Sequence, residues 1–223
     1  MHQTEKSTVK RGAKRALYGE DEINSILDSA FICHVGFCVD GEVRVIPTAY
    51  VRIGQAIYLH GHLRNQMIRS LLDGQCACIT VTQVDGLVLA RSAFHHSVNY
   101  RSVVVLGKAE PVAEHEKIPV LDALINHLVP GRADELRPYT AQELNATLAI
   151  KFSIEEASAK VRSGPPVDGE KDYELDTWAG VLNLNTVIDG VNNCPHLKQG
   201  IELPEHVKCL IGNKGGNKKA PVG

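Results

Sequence analysis

The chain has 223 residues, 43% of them hydrophobic and 22% charged, with 24 basic against 26 acidic side chains and a formal charge of −2. These values exclude a mostly disordered chain and a nucleic-acid footprint over the whole molecule, and they fit one large domain with appendages. No apolar run approaches the roughly 18 residues of a membrane span, and the N-terminus lacks the apolar stretch of a secretory signal, so a soluble cytoplasmic protein is expected.

Residues 1–18 carry Lys6, Lys10, Arg11, Lys14 and Arg15 and read as a flexible, solvated basic arm. Ile23, Ile26, Leu27 and Ala30 then form one helical stripe. The period changes to two in FICHVGFCV, and an Asp40-Gly41 turn joins it to EVRVIPTAYV, which predicts a hairpin. Pro47 cannot donate to a ladder and places an edge or a bulge there. After AIYLHG, the spacing of Leu63, Met67, Ile68, Leu71 and Leu72 predicts a short helix. ACITVTQ, a turn at Val84-Asp85-Gly86, LVLARSA and SVVVLGKAEPV extend the β pattern. A helix face spans Glu114 to Leu128, with Pro119 tolerable only in the first turn, and Thr140 with Glu143 fits a capping box. TLAIKFSI is the last expected strand, RSGPPVDGEKDYELD a linker, and residues 206–223 a flexible tail. Short strands joined by tight turns point to an antiparallel barrel or sandwich.

Standard catalytic signatures are absent: there is no HExxH, GxSxG, GxGxxG or P-loop. Six cysteines lie at 33, 38, 76, 78, 194 and 209 without a C-x-x-C pair. Cys76 and Cys78 share one side of a strand, and two small core hydrophobes are favoured over half a soft-metal site. His60 and His62 flank Gly61, and His95-His96 sit in a polar stretch. Without an acidic residue near either pair, ligand contact or surface histidine is favoured and no metal is assigned. YLHGHLRNQMIRSLL reads as a strand entering a helix past Arg64, Asn65 and Arg69, a junction that suits a phosphate as well as it suits solvated arginines.

CHVGF (33–37), IPTAY (46–50), YLHG (58–61), DGLVLARSAFHHSVNYRSVVVLG (85–107) and EEASAKVRSGPP (155–166), followed by Asp172 and WAGV (178–181), resemble the flavin-nucleotide-binding branch of the pyridoxamine 5′-phosphate oxidase-like family. The resemblance covers roughly residues 16–205. It implies a mainly β fold with peripheral helices: a six-stranded antiparallel split β-barrel over residues 19–205, C-terminal extension included. It also implies a homodimer that holds FMN at a shared site. The isoalloxazine is expected along Val45, Ile46, Pro47, Thr48 and Ala49, where the missing N–H of Pro47 frees neighbouring backbone groups for the ring's polar edge. The phosphate is expected at His60, Gly61, His62, Arg64, Asn65, Gln66, Met67 and Arg69. His60 is the candidate for contacting the ring or substrate, His95, Asn99 and Arg101 the candidates for reaching across the interface, and Trp178 a further cofactor contact. Relatives tend to carry Ser-Arg before the methionine, where this chain has Asn65-Gln66, and a small residue where His62 stands. Arg64 or Arg69 is therefore expected to replace the lost guanidinium. The implied function is that of an FMN-dependent oxidoreductase acting on a small molecule, without nucleic-acid or membrane partners. The alternative is a non-catalytic flavin-binding or storage protein, or a split barrel that binds haem through one of these histidines.

Overall fold

The computed structural model describes residues 3–212. Helix α1 (Glu20–Asp28) opens the barrel domain with Glu20, Asp21 and Glu22 in its first turn, where carboxylates complement the helix dipole. Its apolar stripe, Ile23, Ile26 and Leu27, is buried in the main core. Strands β2 (Ile32–Val39) and β3 (Glu42–Ala49) form the expected hairpin. Asp40 (φ 53°) and Gly41 (φ 82°) both adopt the left-handed conformation that a two-residue turn between twisted strands requires.

The remaining strands are β4 (Val51–Ile53), β5 (Ala56–His62), β6 (Cys76–Leu89), β7 (Ser97–Pro111), β8 (Thr147–Ser153), β9 (Glu156–Arg162) and β10 (Gly180–Asn183). The strand order is β3-β2-β6-β7-β8-β5-β4, with every pairing antiparallel. Strand β7 pairs β6 along most of its length and β8 only at Ala109–Pro111, so it carries the chain from one half of the split barrel to the other. Phe37, Tyr50, Ile57, Leu59, Ile79 and Phe152 fill the interior with α1 and α2 (Gln66–Leu72). A second cluster, Val51, Val120, Leu121, Leu124 and Ala149, lies under α3 (Glu114–Leu128). Helix α4 (Ala141–Ala146) begins with the complete Thr140–Glu143 capping box. The bonds that Arg137 and Thr140 make to the Glu143 carboxylate hold its pKa down at about 2.

Several expectations are corrected. The turn at Val84-Asp85-Gly86 is absent: β6 runs through it with a bulge between Val84 and Gly86. Gly86 serves a close approach instead, since a Cβ there would lie 2.9 Å from Val181 Cγ1 and 3.0 Å from the Leu182 carbonyl oxygen. Pro119 lies in the second turn of α3, which continues past it. TLAIKFSI is not the last strand, because β9 pairs β7 and β10 pairs the end of β6. Cys76 is exposed and Cys78 half-buried, while Ala77 and Ile79 between and beside them point inward. The two cysteines share a face as expected, but it is the outer one.

The basic segment 3–18 packs on the barrel. Strand β1 (Ala16–Leu17) pairs the otherwise open edge of β9, Lys160 Nζ donates to the Arg11 carbonyl at 3.0 Å, and the Val9 N–H donates to the Tyr18 hydroxyl at 2.9 Å. Helix α5 (Glu205–Lys208) falls where the tail was expected to begin; residues 213–223 lie outside the described residues.

Candidate functional site

The junction between β5 and α2 is built from short-range contacts. The Leu63 N–H donates to the Ala146 carbonyl at 2.8 Å, and the Asn65 N–H donates to that of His62 at 2.7 Å. Asn65 caps α2 by accepting from the Ile68 N–H at 3.2 Å. A Cβ on Gly61 would come within 3.1 Å of Ile68 Cγ1 and 3.2 Å of Asn65 Nδ2, so a larger residue there would have to push the start of the helix or its side chains outward. Met67 is buried in the core beneath. His60 and His62 project from the opposite side of β5, as the period of two requires. Desolvation lowers the His60 pKa from its ordinary value, so the ring is neutral near pH 7.

Strand β3 lies at the sheet edge and pairs only β2, with Pro47 opposite His34. The edge expected from Pro47 is therefore present, and the outward backbone groups of Val45 to Ala49 have no strand partner among the described residues. Arg44, which sequence reasoning missed, reaches from this edge strand to α2. Its Nη1 donates to Gln66 Oε1 at 2.6 Å, and its Nη2 lies 3.4 Å from Glu42 Oε2. The signal was an arginine inside the otherwise apolar run VRVI. The side chains of Arg64 and Arg69 are exposed and bonded to no other side chain among the described residues.

His95, Asn99, Arg101 and Trp178 lie elsewhere, around β10, β6 and β7. In the single chain, β2 and β6 separate them from β3. Arg101 holds Asp85 through two bonds of 2.8 and 2.9 Å. Asn99 is buried, donates to the Gly164 carbonyl at 3.1 Å and accepts from Arg162. The Trp178 ring lies over Gly180, where a Cβ would meet it at 2.8 Å, and the residue is 64% exposed.

The turn between β6 and β7 is fixed from within. Ser92 Oγ lies 2.8 Å from His95 Nδ1, and His96 Nδ1 lies 2.9 Å from the Ser92 carbonyl oxygen. The Asp168 carboxylate is wholly shielded from solvent. It accepts from the Arg91 N–H at 3.0 Å and from Arg91 Nη1 at 3.1 Å, which ties the C-terminal extension to the end of β6. Burial alone would raise the pKa of Asp168, but the bonds from Arg91 and Ser92 outweigh it and hold the carboxyl below its ordinary value. His95, Asp168 and Asp172 bring their donor atoms within 4.8 Å of one another. Arg91 already neutralises Asp168, and the Arg91–Asp168 pair serves as a latch between β6 and the extension.

The site is thus an open edge strand beside a tight strand–helix junction on an antiparallel split barrel, and that is the class of fold these elements define. The family model described as pyridoxamine 5′-phosphate oxidase matches residues 19–161, and the chain belongs to that family. Its fold is similar to that of the flavocytochrome Anf3 from Azotobacter vinelandii, with 36% identity, a TM-score of 0.88, and 94% of this chain and 98% of the other covered. The FAD and haem binding protein from Mycobacterium smegmatis is similar at 34% identity and TM-score 0.86, covering 89% and 98%. A putative 5-nitroimidazole antibiotic resistance protein from Bacteroides thetaiotaomicron shares the fold at 23% identity and TM-score 0.56, covering 66% and 86%. No protein of curated function matches the chain.

Proposed function

We propose that this protein is a flavin-dependent oxidoreductase whose β3–α2 cradle holds FMN or the FMN half of FAD. The carrying observation is Arg44, whose guanidinium Gln66 holds beside the helix junction and next to the unpaired β3 edge. Gln66 cannot itself neutralise a phosphate, but its amide oxygen orients a group that can, so Arg44 takes the role expected of Arg64 or Arg69. The edge groups of Val45 to Ala49 suit the polar rim of a flat ring, each buried bond contributing about 0.5–1.5 kcal/mol. The bound flavin would supply the electron chemistry; the chain supplies orientation and charge. His60, neutral at pH 7, is suited to accept or donate one hydrogen bond there.

A second reading adds haem. The two neighbours named for haem match almost the whole chain, extension included, whereas the nitroimidazole-resistance neighbour covers two thirds of it. A homodimer and a cytoplasmic location complete the proposal. The exposed apolar side chains of the extension support the dimer, and the free thiols of Cys33, Cys38, Cys76 and Cys78 support the location.

The test is a visible spectrum of the purified protein, with the released flavin identified by chromatography and its affinity measured by fluorescence titration. Arg44→Ala should bind flavin about ten- to hundredfold more weakly, a loss of about 1.5–3 kcal/mol, while Arg64→Ala and Arg69→Ala bind normally. Wild-type protein that takes neither FMN nor FAD overturns the reading.

A further inference from the structure

One exposed histidine of this chain has its tautomer fixed by the backbone. A carbonyl oxygen can only accept, so the 2.9 Å contact from His96 Nδ1 to the Ser92 carbonyl puts the ring proton on Nδ1 and leaves the lone pair on Nε2. His96 is exposed. A hydrogen bond from the far nitrogen to a backbone carbonyl is the contact that orients metal-bound imidazoles.

Other described histidines are engaged differently. His62 Nδ1 accepts from the Arg64 N–H at 3.1 Å, so its proton sits on Nε2. His127 spends Nε2 on the Ala30 carbonyl while its ring packs against Phe31 and Tyr50. His95 lies against Ser92 Oγ and the Asp168 carboxylate, and His206 against Glu135 at 3.5 Å.

The surroundings of His96 suit a large flat apolar group. Leu87 is paired with Val98 on one side and Leu182 on the other, which puts all three side chains on one face of β10-β6-β7. All three are large hydrophobics left substantially exposed. His96 (φ −58°, ψ 144°) enters β7 in extended backbone two residues before Val98, which sets it at the border of that face. Phe94, on the same turn, is 90% exposed, and Trp178 stands just before β10. An imidazole lone pair bordered by apolar surface is what a haem requires of a protein: one axial bond and a dry platform.

We infer that His96 is an axial ligand of a haem lying against the β10-β6-β7 face, an assignment that rests on the haem reading above. The full chain is titrated with haemin, and the Soret band and the flavin band are recorded together. His96→Gly should bind haemin at least about tenfold more weakly with a displaced Soret band. Added imidazole should restore the wild-type band, a rescue that a merely structural role would not give. His115→Gly on α3 and His206→Gly on α5 should keep the wild-type Soret band. Should His96→Gly fail to fold, His96→Met carries the same test, because a changed axial atom must move the bands. A wild-type Soret band and affinity in the His96 variant overturn the inference, as does imidazole without effect. Wild-type protein that binds flavin but no haemin overturns the inference and leaves the flavin reading standing; protein that binds neither defeats both.

Discussion

The barrel body and the C-terminal extension, residues 163–212, use apolar residues in opposite ways. In the body, Ile23, Leu27, Ile57, Leu59, Ile79 and Phe152 are buried against one another and form the main core. In the extension, Tyr173, Leu175, Trp178, Leu184, Val187 and Val191 all remain substantially exposed. Yet the extension is anchored. Strand β10 lies on β6, the Asp168–Arg91 pair fixes the approach, and Ile188 bridges Ile211 further on. A segment held in place with apolar side chains outward is consistent with the proposed dimer, in which a copy of this chain would cover it. The body holds the core, and the extension is the region to which the proposed dimer assigns contact between copies.

Four measurements break or sharpen that contrast. Phe152→Ala should cost about 3–5 kcal/mol in denaturant unfolding, because it opens a cavity in the body; a loss below about 1 kcal/mol would deny the body its central place. Gly86→Val drives a side chain into Val181 and should cost about 1–3 kcal/mol by releasing β10. Limited proteolysis should then cut within the extension while a barrel fragment survives. Cleavage distributed evenly over both regions would show that they are one unit.

The third measurement uses acid. The carboxyl of Asp168 titrates lower in the folded chain than unfolded, so its contribution is present above the unfolded value of about 3.9 and is lost as pH falls through the folded one. Protease sensitivity of the extension should rise in that range for the wild type. Asp168→Asn should be loosened already at neutral pH and show a flatter response; an identical acid profile in both chains removes the latch from the account. The smallest effect on the chain itself is expected of Val191→Ser, within about 0.5 kcal/mol for unfolding. Sedimentation should nevertheless show its dimer dissociating more readily, and a dimer unchanged by this and by Val187→Ser would leave the extension without its proposed role.

Legibility in the sequence follows the range of the forces involved. The α1 stripe, the Asp40-Gly41 hairpin, the Thr140–Glu143 box and the edge position of Pro47 are dictated by neighbours within a few residues, and all were readable. Asp85-Gly86 misled because the same dipeptide serves a turn and a close backbone approach; the deciding partner, Val181, lies far along the chain. The basic arm looked solvated because nothing local reveals that β9 has an open edge for Ala16 and Leu17. In the candidate site, the strand–helix junction at Gly61 was legible; that Asn65 caps α2 was not, because Asn65 was read only as a phosphate contact. Arg44 was not, since its meeting with Gln66 depends on how β3 and α2 are brought together. Asn99 and Arg101 looked free for a ligand only because Arg162, Gly164 and Asp85 could not be placed beside them.

Pro47 carries one more consequence. An exposed sheet edge invites an incoming strand from another molecule, which is how aggregates and fibrils begin. On β3 that invitation is interrupted midway, because Pro47 offers no N–H and a docking strand would meet a gap in its ladder. A small planar molecule needs only a few of the flanking groups and is indifferent to the gap. On the flavin reading proposed above, the same residue suits a flat ligand and discourages a strand from docking along β3.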